Sequence, residues 1–405
     1  MNNSIQLPSF LSNLEVVGTF SDAMDLCRVP NDIVVNDSDV TITQRDTPIA
    51  ILPPSLVDAY LKNDQDTINS VQKQNYDNLE LIRQNFKNVG NDAWSYVKDK
   101  ETGEHFFIAY NENAVTWVCP AAKEQQETKQ LVMSIGSLDR VTSQASHGSI
   151  VFSNEKVQEY KDAFVALAAA AVAELFTGGL TIAASALSSI FVTCAAAVGL
   201  GMFAFIIPVI AVAAVAAVMV VGLAIGCVLL VDWLISLLAP DFFIKCLIFN
   251  FDDTRDWSSG DYFFDNAKVA GKDQKYKDFC IPKKQKADPP SWLPVDPESV
   301  TVYYVELDLE NDSKFMEGLG FALSMKSDDA GFTLASDCPY TSATVIKETA
   351  PAASDVKSYF KDGDWVDGLT QNIDVNGMPV GMTLNKHHGA ENNLYQVTVL
   401  IGKSV

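Results

Sequence analysis

Basic residues are scarce in this sequence: 29 Lys and Arg stand against 51 Asp and Glu, a net charge of -22 over 405 residues. A chain so acidic has little with which to neutralise phosphates, which excludes nucleic-acid binding. It also argues against adhesion to anionic lipid through a basic patch. Organised cysteine is missing too. Cys27, Cys119, Cys194, Cys227, Cys246, Cys280 and Cys338 form no CxxC pair and no zinc spacing, and their number is odd. No disulfide framework is expected, and the chain reads as made in a reducing compartment.

Catalytic punctuation is equally thin. There is no GxGxxG and no P-loop, and the four histidines are His105, His147, His387 and His388. Adjacent histidines on a strand point to opposite faces, so His387-His388 is a poor metal pair. Asp362-Gly363-Asp364 with Asp367-Gly368 lacks the twelve-residue calcium-loop pattern and its closing Glu. The expectation is a protein that is not an enzyme and has no cofactor and no metal. Met1–Leu14 has neither a basic start nor an apolar core, so no secretory signal is expected. The expected localisation is a soluble product that is released and acts at a target cell membrane.

The largest absence is charge itself. Between Glu174 and Asp232 the chain has none, from Leu175 through Val231. Leu180 to Val198 is long enough for a helix to span a hydrocarbon core, and Met202 to Val231 is longer than one span. Gly199-Leu200-Gly201 between them carries no charge, which avoids roughly 3 kcal/mol per charge on crossing a bilayer. The run is rich in Ala, Gly and Ser, which lets helices approach closely in lipid. The residues expected to enter the membrane are Leu180, Ile190, Val198, Gly199, Leu200, Gly201, Phe203, Ile207, Val212, Val218, Val221 and Leu229.

Residues 1–52 read as irregular with short extended pieces. After Pro53-Pro54-Ser55, apolar Val57, Leu61, Ile68, Val71, Leu79, Ile82, Phe86, Val89, Ala93 and Val97 recur at near-heptad spacing. That spacing predicts one helix over about 55–97, roughly 60 Å long, with Ser55 as its cap. Phe106–Tyr110 and Ala114–Val118 around Asn111-Glu112-Asn113 predict a β-hairpin at about 104–119. Residues 124–142 have helical composition. Pro289, Pro290, Pro294 and Pro297 mark 251–298 as a linker. Beyond it, alternation in Thr301–Glu310, further strand-like runs and the Asn376-Gly377 turn predict a β-sandwich-like module over 299–405. Tyr303, Tyr304 and Trp365 are its candidate ligand-binding residues.

The fold class expected is therefore α+β multidomain: an elongated helical bundle over 53–250 that buries an apolar helical hairpin at about 175–231, followed by an all-β module. A long heptad-like helix, an apolar hairpin and a small β-element together resemble the α-helical pore-forming toxins of the cytolysin A and haemolysin BL type, over roughly residues 55–250. The resemblance implies a soluble monomer that shelters its apolar segment, then exposes it and assembles as a homo-oligomer on a lipid membrane, in some systems with a second toxin component. The proline-rich linker and the β-module depart from that group; the module would bind a receptor or glycan or direct assembly. The rival is a resident two-span membrane protein with soluble interaction domains.

Overall fold

A computed structural model describes residues 7–26, 41–44, 49–62, 64–123, 126–153, 157–159, 161–178, 243–270, 275–312, 318–328, 330–339, 342–388 and 394–405. Its architecture is dominated by β-strands, which overturns the expected helical bundle and with it the α-helical toxin resemblance. The helices are α1 (Phe20–Leu26), α2 (Pro54–Leu61), α3 (Gln65–Val89), α4 (Lys161–Gly178) and α5 (Val356–Lys361). Among the described residues, no helix is long and apolar enough to cross a membrane.

The long helix fails at Asp64, which stands between Leu61 and Ile68 of the near-heptad series. Asp64 accepts hydrogen bonds from the Thr67 backbone N–H at 3.1 Å and the Thr67 hydroxyl at 2.7 Å. It is the N-cap of α3, and a capping carboxylate marks a helix start. Pro54, not Ser55, opens α2, where a missing N–H costs nothing. Gly90, with φ +60°, follows the last residue of α3 in the left-handed conformation that commonly ends helices.

The chain divides into two compact units, 1–53 with 69–230 and 288–299, and 54–68 with 231–287 and 300–405. The first holds β1 (Leu14–Thr19), β2 (Thr41–Gln44), β3 (Ile49–Leu52), β4 (Ser95–Asp99), β5 (His105–Tyr110), β6 (Ala114–Pro120), β7 (Gln130–Asp139) and β8 (Gln144–Ser153). They pair antiparallel in the order β1-β4-β5-β6-β7-β8, with β2 and β3 both on β8. The turn between β5 and β6 is built by Asn111, whose side-chain oxygen accepts from the Asn113 and Ala114 N–H groups at 2.8 Å each. The helix read into 124–142 is instead the strand β7. Nine of its ten residues are buried, so no alternation distinguishes it from a buried helix.

Both faces of this sheet are covered. On one, Phe107 meets Phe20 at 5.2 Å and Trp94 at 6.5 Å, and Trp94 meets Phe86 of α3 at 4.9 Å. On the other, Trp292 of the proline-rich stretch stacks on Phe106 at 5.2 Å and sits edge-on to Trp117 at 5.6 Å. Residues 288–299, read as linker, thus contribute a core tryptophan to this unit. Gly136 makes room for Trp117, since a Cβ there would lie 2.2 Å from the indole.

The second unit is a β-sandwich. One sheet orders β14 (Val300–Asn311), β9 (Phe243–Asn250), β20 (Leu394–Ile401), β19 (Met378–Leu384) and β18 (Thr370–Val375); β11 (Ala267–Val269) and β13 (Gln285–Lys286) also pair with β14. The other orders β12 (Cys280–Ile281), β10 (Trp257–Asp265), β15 (Leu319–Ser327), β16 (Ala330–Cys338) and β17 (Val345–Thr349). All pairs are antiparallel except β20 with β9. Ile244, Cys246, Ile248, Leu307 and Leu309 face Trp257, Phe321, Leu323, Phe332 and Leu334 in one apolar core. Asn376 and Gly377 (φ 54° and 83°) make the tight turn between β18 and β19, as a primed hairpin turn requires.

Helix α5 packs Val356 and Phe360 onto the outer face of the second sheet. Asp355 caps it, accepting from the N–H groups of Lys357 at 3.0 Å and Ser358 at 3.1 Å, which holds its carboxyl below the usual range. Asp355→Ala is expected to lower the denaturant midpoint of this unit, because two helix N–H groups lose their acceptor.

Candidate functional site

The twelve residues expected to enter the membrane, from Leu180 to Leu229, all lie outside the described residues. So does the apolar hairpin except for its first residues, 175–178, which end α4. The site is therefore built from what holds the two flanks of the charge-free run.

The leading flank is α4. Ala163, Phe164, Val165, Ala166, Ala168, Ala169, Ala170, Val172 and Ala173 are all buried. A helix apolar on every side belongs in an interior, and its alanines let it lie close against β5 and β6. Three contacts fix it. The Trp94 indole N–H donates to the Ala169 carbonyl at 2.9 Å. Phe164 meets Phe152 at 5.3 Å. Lys161 pairs with Glu104 in the first turn.

The trailing flank is β9, which starts at Phe243 and is buried along its whole length. Its neighbour β14 runs antiparallel in a register that sets Lys245 opposite Asp308 and Leu247 opposite Glu306. Lys245 Nζ lies 2.7 Å from Glu306 Oε1, with the two side chains only 5% and 7% exposed. Three ionisable groups thus share one face of two strands. Burial raises the Asp308 carboxyl well above the usual range; the Glu306 charge pushes it the same way and Lys245 opposes. One ammonium does not fully compensate two carboxylates in an interior.

The candidate ligand aromatics are not brought together. Tyr304 is buried and stacks on Phe249 at 5.2 Å, which also meets Tyr60 of α2 at 5.5 Å. Tyr303 packs against the sandwich core. Trp365 stands edge-on to Phe360 at 5.2 Å. The Lys347 ammonium lies 4.4 Å from the Trp365 ring and 4.5 Å from the Tyr359 ring, and donates to the Tyr359 carbonyl. A cation already occupies that aromatic cage. Burial lowers the Lys347 pKa, against the pull of Asp362, Asp364 and Asp337. The aspartates of the Asp362-Gly363-Asp364 turn therefore act on this lysine.

Sequence reasoning missed Glu348, the next residue along β17. Strand alternation turns it away from the Lys347 cage to the side of Leu334, into the sandwich. It is 4% exposed, neither carboxylate oxygen has a hydrogen-bond partner among the described residues, and burial pushes its pKa up to about 9. Its backbone is clamped to β18 by Gln371, whose amide accepts from the Glu348 N–H at 2.8 Å and donates to its carbonyl at 3.1 Å. No metal-holding cluster of His, Cys, Asp or Glu occurs among the described residues. His387 Nδ1 lies 2.9 Å from the Thr344 carbonyl oxygen.

No protein-family model and no curated protein matches the chain. Among solved structures, a match is the crystal structure of IP-1A from Alcaligenes faecalis, at 14% identity over 40% of this chain and 91% of that one. Its TM-score is 0.20, too low to carry an argument about fold or function.

Proposed function

We propose that this protein inserts its charge-free run, Leu175–Val231, into a target bilayer and assembles there into a pore. The observation that carries the reading is the run itself: 57 consecutive residues without a charge in a chain of net charge -22. Such a stretch gains by leaving water, while the acidity of the remainder keeps the protein dispersed until it meets lipid. Two further features support it. The run begins in the last turn of a packed apolar helix. Eleven residues, 232–242, separate its end from a strand buried along its whole length.

Release of a trapped dye from lipid vesicles by detergent-free protein tests the reading. Val212→Asp places a charge in the run at a cost of roughly 3 kcal/mol on insertion. It is expected to cut release at least tenfold while circular dichroism stays unchanged. Undiminished release by that variant overturns the proposal. A protein that leaves the membrane fraction only in detergent is a resident membrane protein instead.

A further inference from the structure

The net charge of the chain hides a local reversal. Between Lys275 and Lys286 five lysines stand against one acid, Asp278. The fold runs this stretch along the rim of the sandwich: β12 pairs with β10 in one sheet, and β13 with β14 in the other. Lys284 is drawn toward Asp253 at 4.0 Å. Lys275, Lys277, Lys283 and Lys286 are exposed and make no ion pair among the described residues.

Aromatic rings line the same rim. Tyr276, between two of those lysines, is half-buried and packs at a tilt against Tyr262 at a centroid distance of 4.0 Å. Phe264 lies 4.9 Å from Tyr262, and Phe279 lies 6.3 Å from Tyr276. Tyr262 remains 48% exposed, among the most exposed large apolar side chains of the chain. Of the two acids of β10, Asp265 falls on the opposite face, because Tyr262 and Phe264 share the register side of Leu323 and Phe321, while exposed Asp261 directly precedes Tyr262.

Lysines beside an exposed tyrosine are the chemistry of a bilayer interface. Ammonium groups meet anionic headgroups, and an amphipathic ring sits at headgroup depth. We propose that the Lys275–Lys286 strip, with Tyr262, docks this protein on bilayers that carry anionic phospholipid. The inference corrects the expectation drawn from net charge: charges farther off are screened within about 10 Å at 0.1 M salt, and of the acids at the rim Asp253 faces Lys284 and Asp256 accepts from the Lys283 N–H at 2.8 Å. It rests on the bilayer reading above, but docking and insertion separate experimentally.

The test is flotation of the full chain with vesicles of phosphatidylcholine alone and of phosphatidylcholine with 30% phosphatidylserine. Binding is expected on the anionic vesicles, weakening as salt rises from 50 to 300 mM, and is expected to be at least tenfold weaker on the neutral ones. Each lysine contributes about fivefold at an anionic surface. The variant with Lys275, Lys277, Lys283 and Lys286 all changed to Ser is therefore expected to bind about 600-fold more weakly. These side chains are exposed, so its circular dichroism should be unchanged. Equal binding to both vesicles, full binding by the four-lysine variant, or no flotation of the native chain each overturns the proposal. Dye release that persists while the four-lysine variant binds normally leaves insertion standing and removes docking. Docking without dye release does the reverse. Val212→Asp is expected to float with anionic vesicles as the native chain does.

Discussion

Lys245→Met will destabilise the second unit by about 3–5 kcal/mol, the usual loss when one partner of a buried ion pair is removed. Methionine fills the space of the lysine stem but leaves Glu306 and Asp308 facing each other with no cation between them. The measurement is urea unfolding followed by Trp257, which sits fully buried in the sandwich core. The penalty should depend on pH. Burial raises the Asp308 carboxyl, so as pH falls it takes up its proton early, its charge disappears, and the gap between native and variant narrows. A second variant separates the pair from packing: Lys245→Met with Glu306→Leu and Asp308→Asn removes all three charges and should recover most of the loss. A single variant as stable as the native chain at pH 8 would show that the pair contributes nothing. Eleven residues, 232–242, separate the end of the charge-free run from β9, so on the proposed insertion a weakened β9 should also lower the lipid density at which dye release begins.

The second large effect has the opposite sign. Glu348→Gln should remove about 3 kcal/mol of pH-linked destabilisation by neutral pH, because ionisation of the unfolded chain favours unfolding by about 1.4 kcal/mol for every pH unit above its carboxyl pKa. The folded-state pKa is raised from 4.5 to about 9, so the folded protein holds a proton that the unfolded chain has released. The stability this preserves is complete below about 4.5 and drains away as pH climbs toward 9. Glutamine cannot ionise, so the variant's profile should be flat across that window. The gap should widen by about 1.4 kcal/mol per pH unit. Parallel profiles for the two proteins would mean that Glu348 ionises freely, and would refute its enclosure. The intercept is less informative, because the buried amide also lacks partners and brings its own desolvation cost.

Some of this architecture was legible before any coordinates. In Thr301–Glu310 the residues Tyr303, Val305, Leu307 and Leu309 alternate, and all four pack on the sandwich core. Asn376-Gly377 marked a hairpin turn because few other pairs tolerate two positive φ angles. The misread elements have physical causes. β7 is buried on both faces, so its apolar run has no period of two to reveal a strand. The heptad over 55–97 was real as spacing, but Asp64 ended one helix and began another through bonds to Thr67. The four prolines suggested a linker, yet Trp292 among them belongs to a core. Residues distant in sequence had to meet before that could be known.

By itself the sequence determined the feature on which the functional reading stands: an unbroken charge-free run is a property of order along the chain, whatever the fold. It also determined the turns and strands whose residues tolerate few alternatives. Only the tertiary structure decided which charges stand alone and which are enclosed. Lys245, Glu306 and Asp308 become a cluster because one register sets β9 against β14. Glu348 becomes a buried acid because alternation along β17 turns it inward. The lysines of 275–286 become a strip because two short strands lay them along one rim. Net charge sums over the whole molecule, whereas electrostatic energy falls with distance and rises with burial. Where each charge sits, rather than how many there are, is what the fold supplies.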